Sequence, residues 1–108
     1  MEKTEGWMYI LLCSDDSYYV GSTIDLVRRL EQHSNGSGAN HTKNRLPVKL
    51  VYAEYFSHIA LAFKREKQIQ KWRREKKECL IKNQHYQLPE LALAYRDRGL
   101  REPQSPEH

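Results

Sequence analysis

A continuous apolar run near the N-terminus places the strongest constraint on how this chain can fold. Residues 7–13 have the sequence Trp-Met-Tyr-Ile-Leu-Leu-Cys, which has the length of one strand and contains no charged residue. Such a run is typical of a strand that is covered on both faces, so it predicts the central strand of a sheet. Turn-forming residues follow at 14–17, and residues 18–22 are again rich in strand formers. Together they predict an antiparallel hairpin.

The next part of the chain favours a helix, a loop and a third strand. Thr23 or Asp25 can cap the N-terminus of a helix that continues to His33, and an Asn-Gly-Ser-Gly sequence then ends it. Residues 36–47 have the Gly, Ser and Asn composition of an exposed loop. Strand-forming residues dominate 48–56, which predicts the third strand.

The second half of the chain favours two further helices. Apolar residues recur at helical spacing from about residue 58 to 72 and again from 74 to 84. The order β-β-α-β-α-α predicts an α+β domain with a three-stranded antiparallel sheet flanked by helices. A chain of 108 residues has room for one core. We expect a flexible N-terminus over residues 1–6 and one domain over 7–84. A helical extension over 85–98 and a disordered tail over 99–108 are predicted to follow.

Composition and charge exclude several classes of protein. No apolar run approaches the ~18 residues that span a bilayer, and the first residues lack the features of a secretory signal. We therefore expect a cytoplasmic protein without a membrane partner. The five histidines and two cysteines show none of the spacings of zinc sites or disulfide frameworks. The net charge of +4 and the isoelectric point of about 9.1 permit binding to polyanions without requiring it.

Two polar residues of the first predicted helix lie beside its apolar stripe. Leu26, Val27 and Leu30 define the stripe. Arg29 and His33 lie along one edge of it and are i,i+4 neighbours. The pattern alone allows Arg29 to extend its aliphatic stem beside the core, and it allows His33 to be a packed or capping residue. The alternative is that both belong to a functional site.

A carboxylate interrupts the apolar face of the long helix. The residues that set the predicted inward direction are Ile59, Ala62, Phe63 and Ile69. Glu66 falls near the middle of that face. Because burying a lone carboxylate is costly, Glu66 is expected to be paired, hydrogen-bonded or bound to a cation. Two alternatives stay open: a structural ion pair with an arginine, and a ligand for Mg²⁺, which proteins often hold with one or two carboxylates.

The hairpin brings two tyrosines together if the matching faces of its strands coincide. Strand alternation puts Tyr19 and Gly21 on one face of the second strand, where Tyr9 of the first strand can approach them. Two phenols then lie close together, and Gly21 leaves the backbone open to a ligand. Tyrosine is also an ordinary sheet residue, so the pattern alone does not separate packing from function.

Positive charge is concentrated in residues 64–82. This segment has nine basic and three acidic residues, hence a net charge of +6. With Trp72 inside it, the segment can follow a phosphate backbone and stack a base. A solvated helix face with Trp72 as a core anchor explains the same sequence. The residues predicted to bind nucleic acid are Lys43, Arg45, Lys71, Arg73, Arg74, Lys76 and Lys77.

The combined spacing of these motifs resembles the GIY-YIG nuclease module. The residues that match are Met8-Tyr9-Ile10, the Tyr-Val-Gly-Ser-Thr sequence of 19–23, Asp25-Leu26, Arg29-Leu30 and His33. The residues that resemble the small stand-alone bacterial branch of that superfamily are 47–52 and then Ala62, Glu66, Ile69 and Trp72. The chain departs from the pattern in lacking Gly-Ile before Tyr9, and it has His41 where that branch often has a loop tyrosine.

The resemblance implies a metal-dependent endonuclease that acts on nucleic-acid phosphodiester bonds, with DNA favoured and DNA repair or processing as the context. It implies one site on the sheet face that contains the phenols of Tyr9 and Tyr19, with Tyr19 preferred for activating water. In that site Arg29 is the cation for the transition state, and His33 has a less defined role. Glu66 is the ligand of one Mg²⁺ or Mn²⁺ ion. We expect a monomer or a weak dimer.

Two other functions stay open at the level of sequence. A non-catalytic basic module on the same fold would bind nucleic acid with a salt-sensitive affinity that does not depend on Glu66. In a purely structural protein, Glu66 would pair with Arg29, and removal of either residue would destabilise the fold by a few kcal/mol.

Overall fold

Within residues 4–83, which are the residues that the structure describes, the fold consists of three strands and four helices. The computed structural model contains β1 (Gly6–Leu12), β2 (Tyr18–Thr23), α1 (Leu26–Ser34), α2 (Asn40–Lys43), β3 (Lys49–Phe56), α3 (Ile59–Gln70) and α4 (Arg74–Asn83). The strands form one antiparallel sheet in the order β2-β1-β3. The predicted α+β class and the central position of the first strand are confirmed.

Helices cover both faces of the sheet, which explains the uninterrupted apolar sequence of β1. Tyr9 and Leu11 face a core that they share with Leu30 of α1. Ile10 faces a second core that includes Ile69 of α3. Because successive residues of a strand point to opposite faces, a strand that is buried on both sides is apolar at nearly every position.

Side chains that accept backbone hydrogen bonds fix where the two main helices begin. Asp25 Oδ1 accepts from the N–H of Arg28 at 3.1 Å and caps α1, so the second of the two predicted caps is the one used. His58 Nδ1 accepts from the N–H of Ala60 at 3.0 Å and caps α3. These contacts satisfy backbone N–H groups in the first turn of each helix.

The segment 36–47 differs from the exposed loop that was predicted. It contains the one-turn helix α2, and Thr42 within that helix is fully buried. The Thr42 hydroxyl donates to the carbonyl of Ala39 at 3.1 Å and contacts His33. The polar residues of this segment therefore contribute to the protein interior beside His33.

The prediction that Phe63 faces inward is wrong. Phe63 is 52% exposed, whereas Ala62, Glu66 and Ile69 form the buried side of α3. Phe63 is one residue from Ala62, hence about 100° further around the helix, which turns it away from the sheet. The ammonium of Lys67 lies 4.9 Å from the centre of its ring.

The chain before β1 contacts the start of helix α3. Strand β1 begins at Gly6, and the carbonyl of Thr4 accepts a hydrogen bond from the N–H of Ile59 at 2.7 Å. Thr4 is thus joined to the start of α3, and residues 1–3 of the predicted flexible N-terminus lie outside the described residues. The predicted helical extension over 85–98 and disordered tail over 99–108 lie outside the described residues. None of the helices within 4–83 is long and apolar enough to cross a membrane.

Candidate active site

The two tyrosines of the hairpin lie on the same face of the sheet, as strand alternation predicts. Tyr9 of β1 pairs with Gly21 of β2, and Tyr19 lies two residues before Gly21 on the same face. The ring centroids of Tyr9 and Tyr19 are 6.2 Å apart. Strands β1 and β2 thus each bring one phenol to the α1 side of the sheet.

Gly21 is packed rather than open, which corrects the prediction of a backbone that a ligand can approach. A Cβ atom on Gly21 would lie 2.6 Å from the Tyr9 hydroxyl and 2.9 Å from Cε2 of Tyr19. Glycine is needed here because the ring of Tyr9 crosses β2 at this residue. Since β2 is an edge strand, the Tyr9 hydroxyl lies near the outer edge of the sheet.

Helix α1 brings Arg29 to both phenols. Its Nη1 donates to Oε1 of Gln32 at 2.9 Å. Partial burial lowers the pKa of the Arg29 guanidinium, but hydrogen-bonding interactions with the hydroxyls of Tyr9 and Tyr19 outweigh this effect and raise it above its usual value. The guanidinium is therefore held against the tyrosines, and the alternative in which it only extends beside the core is not supported.

His33 is fully buried behind the tyrosines. Its Nε2 lies 2.8 Å from the Tyr9 hydroxyl, and its Nδ1 lies 2.7 Å from Oγ1 of Thr42. The centroid of its ring is 5.2 Å from that of Tyr19. Both ring nitrogens are thus hydrogen-bonded, and the imidazole connects the phenols to α2.

Burial sets the protonation of this cluster. Burial, with a smaller contribution from the charge of Arg29, lowers the pKa of His33 to about 4. Burial also raises the pKa of the Tyr9 phenol far above its usual range, and the neighbouring Tyr19 is the next contribution. At pH 7 the pair therefore consists of a neutral imidazole and a protonated phenol.

Glu66 reaches the site from the opposite side of the sheet, on α3. Its Oε1 accepts from the Ser22 hydroxyl at 2.5 Å, and its Oε2 accepts from Nε2 of Gln70 at 2.7 Å. The exposed Lys67 places its Nζ 3.9 Å from Oε2. Ser22 lies in β2 and points to the α3 side of the sheet, whereas the two tyrosines point to the α1 side.

The candidate site therefore straddles the edge strand β2 and does not occupy the single sheet face that the resemblance implied. Burial is the main cause of the raised pKa of Tyr9, but the charge of Glu66 also contributes, so the two sides are electrostatically coupled. The ion pairs within residues 4–83 do not join Arg29 to Glu66. The structure thus contradicts the alternative in which these two residues form a structural pair.

The surroundings of Glu66 fit one hard cation. Within residues 4–83, no group of three or more His, Cys, Asp and Glu side chains could hold a metal ion. One carboxylate, with water and substrate phosphate in the other positions, is typical of Mg²⁺. Each oxygen of Glu66 accepts one hydrogen bond from a neutral side chain, so each keeps a second lone pair. This set of donors suits Mg²⁺ or Mn²⁺ better than zinc.

The basic residues predicted to bind nucleic acid fall into two groups. Arg45 and Arg74 contact the β1–β2 turn, since Arg45 pairs with Asp15 at 2.8 Å and Arg74 donates to the carbonyl of Asp16. The others lack an ion pair among the described residues, and they are Lys43, Lys71, Arg73, Lys76 and Lys77. This second group is better suited to contact phosphates because no carboxylate neutralises it.

Trp72 anchors the junction of α3 and α4. It packs against the core on the α3 side of the sheet. The guanidinium carbon of Arg65 lies 5.3 Å from the centre of its ring, and Nζ of Lys76 lies 4.3 Å away. The structure therefore favours the core anchor over the residue that stacks on a base.

Comparison with known proteins shows the family of this chain. The family model described as the GIY-YIG catalytic domain matches residues 5–78, from the start of β1 into α4. The chain belongs to the GIY-YIG family. This is a family of nucleases that generally use divalent metal ions.

The chain is also similar to the small proteins named UPF0213. Such a protein from Streptococcus pneumoniae is 44% identical over 81 residues, which are 74% of this chain and 82% of the relative. The solution NMR structure of a UPF0213 protein from Bacillus halodurans is 33% identical with a TM-score of 0.51, over 84% of this chain and 95% of that chain. The solution NMR structure of a protein from E. faecalis is 35% identical with a TM-score of 0.53, and the match covers 82% of this chain and 96% of that chain. These likenesses confirm the predicted fold and the small branch of the family.

Several residues that hold the site together were missed in the sequence. They are Ser22, Gln32, Thr42 and Gln70. Gln70 follows Glu66 by four residues and Gln32 follows Arg29 by three, and this helical spacing could have suggested both contacts. Thr42 offered no signal in the sequence, because its burial depends on how α2 packs against His33 of α1.

Proposed function

We propose that this protein is a metal-dependent endonuclease that hydrolyses nucleic-acid phosphodiester bonds, with DNA as the favoured substrate and DNA repair or processing as its context. The observation that supports this most strongly is the arrangement around β2. Two phenols and a guanidinium lie on one side of the edge strand, and a carboxylate lies on the other. A phosphate that approaches the outer edge of β2 can contact both sides.

The charges of the site suit phosphoryl transfer. A bound Mg²⁺ or Mn²⁺ ion supplies Lewis-acid stabilisation of the phosphate and of the leaving oxygen. Glu66 is the residue that would hold it, with Ser22 and Gln70 fixing the carboxylate. Arg29, oriented by Gln32 and the tyrosines, offers a planar pair of donors to the non-bridging oxygens of the transition state.

Tyr19 is the residue to which we assign the activation of water. Tyr9 is fully buried and its hydroxyl is bonded to His33, which leaves it poorly placed to accept a proton. Tyr19 is only partly buried, and the guanidinium of Arg29 lies beside its hydroxyl. Tyr19 is therefore the phenol to which we assign contact with the attacking water.

The test is cleavage by the purified chain of flap, nicked, branched and single-stranded DNA in Mg²⁺ or Mn²⁺. We expect cutting that EDTA abolishes, and that Glu66→Ala and Arg29→Ala each reduce by about 100-fold or more. Arg28→Ala is the matched control, because Arg28 is the exposed neighbour of Arg29 on α1.

Two outcomes would contradict the proposal. One is that none of these DNA substrates is cut, and the other is that both variants cut as well as the parent. Salt-sensitive binding without cutting, indifferent to EDTA and to Glu66→Ala, would favour the non-catalytic module instead.

A further inference from the structure

The buried contacts of His33 form a chain in which the direction of every hydrogen bond can be worked out. The carbonyl of Ala39 can only accept, and it lies 3.1 Å from the Thr42 hydroxyl, which can give its single proton to it beside the N–H of Lys43. In that arrangement Oγ1 of Thr42 has only lone pairs to offer Nδ1 of His33, 2.7 Å away. Nδ1 of His33 then carries a proton.

The other end of the chain leads independently to the same result. Tyr9 is 0% exposed, and its hydroxyl proton needs an acceptor. Arg29, which lies beside that hydroxyl, has donors only. Nε2 of His33 lies 2.8 Å away and can accept only if it carries no proton. Because burial keeps the pKa of His33 near 4, the ring is neutral at pH 7 and has a single N–H, which is then on Nδ1.

We propose that Thr42 is a positioning residue that locks His33 in the Nδ1–H tautomer, so that the Tyr9 hydroxyl must donate its proton to Nε2. The chain then runs in one direction, from Arg29 through Tyr9 and His33 to Thr42 and the carbonyl of Ala39. The hydroxyl proton of Tyr9 is then used in the hydrogen bond to His33, and Tyr19 is the phenol that is free to act on water. This last consequence rests on the proposed nuclease function, whereas the tautomer does not.

The experiment is a long-range proton–nitrogen correlation spectrum of the full ¹⁵N-labelled chain at pH 7. His33 is assigned by its absence from the spectrum of His33→Asn. We expect a pyrrole-type signal at Nδ1 and a pyridine-type signal at Nε2. In Thr42→Val, which keeps the size of the side chain without its hydroxyl, Nδ1 loses its acceptor while the Tyr9 hydroxyl still favours a proton on Nδ1. We therefore expect the Nε2–H form to become populated beside the Nδ1–H form. Thr42→Ser should restore the parent pattern.

Thr23→Val is the matched control, since the Thr23 hydroxyl bonds to the backbone of Asp25 in the turn before α1. It should leave the His33 signals unchanged. Protonated Nε2 in the parent would overturn the proposal, and so would a Thr42→Val spectrum identical to that of the parent. If the valine variant does not fold, the parent spectrum by itself still decides the tautomer.

A kinetic arm links the tautomer to catalysis. With cleavable DNA, kcat of Thr42→Val should fall roughly tenfold while KM stays unchanged, the size expected for one lost hydrogen bond. An unchanged kcat in a variant with the altered tautomer would overturn the catalytic consequence. If the parent cuts no DNA, the proposed function fails, but the tautomer measurement retains its meaning.

Discussion

On the α1 side of strand β2 the candidate site consists of a buried chain of hydrogen bonds. On the α3 side it consists of one carboxylate that accepts hydrogen bonds from two neutral side chains. His33 and Tyr9 are fully buried and use their polar atoms on each other and on Thr42. Glu66 keeps lone pairs that its partners Ser22 and Gln70 do not use. The difference separates two tasks: the first side fixes where protons lie, and the second can bind an ion.

The largest effect is expected on the carboxylate side. Glu66→Gln keeps the size of the side chain and removes its charge, so metal-dependent cleavage should fall by about 100- to 1000-fold. Broadening of NMR signals by Mn²⁺ near this residue should disappear, while the His33 tautomer stays as in the parent. Glu54→Gln is the matched control, because Glu54 pairs with Arg65 on the same side of the sheet. Equal losses in both variants would contradict a specific role for Glu66.

The second prediction distinguishes the roles of Tyr9 and Tyr19 on the α1 side. Tyr19→Phe should lower the single-turnover rate by about 100-fold, because it removes the group assigned to water activation, with little effect on stability. Tyr9→Phe should instead lower the free energy of unfolding by about 1–2 kcal/mol, because Nε2 of His33 loses its donor. Rapid-quench cleavage and urea unfolding measure the two effects. The reverse assignment of losses would overturn this division.

The third prediction concerns pH and the buried side alone. The pKa of His33 falls from 6.5 to about 4 on folding, mainly through burial, so below pH 6.5 the unfolded chain binds the proton more readily than the folded one. The stability associated with neutral His33 is complete above pH 6.5 and is lost as the pH falls towards 4. Between pH 7 and pH 5 the free energy of unfolding should decrease by roughly 2 kcal/mol. Urea titrations should show this decrease in the parent and a flatter profile in His33→Asn.

The smallest effects are expected from single surface charges on the two sides. Lys43→Glu at the end of α2 and Lys71→Glu at the end of α3 should each weaken DNA binding severalfold and reduce the salt slope by about 0.9 for each lost phosphate contact. Lys49→Glu is the control, because Lys49 begins β3 at the far edge of the sheet. Fluorescence anisotropy at several salt concentrations gives both quantities. An equal effect at Lys49 would indicate non-specific electrostatic attraction of DNA to the whole surface, without specific phosphate contacts at Lys43 and Lys71.

Local patterns predicted much of the fold and part of the site. The apolar run of β1, the cap at Asp25 and the alternation that puts Tyr9 and Tyr19 on one face depend on residues close in sequence. The motif spacing also indicated Arg29 and Glu66 before any contact was visible. Phe63 was placed wrongly because a helical wheel gives relative directions, and only packing against the sheet decides which direction faces inward.

The sequence by itself therefore determined the family and six of the seven elements within residues 4–83, all but α2, because these follow from short-range periodicity and from motif spacing. Tertiary structure decided the close packing of Gly21 under Tyr9, the approach of Glu66 from the other side of β2, and the burial of Thr42 against His33. Each of these depends on strand register or on the docking of a helix, which bring together residues that are far apart in the chain. Hydrogen bonds across such distances are directional and short in range, so they have no counterpart in the linear pattern of residues.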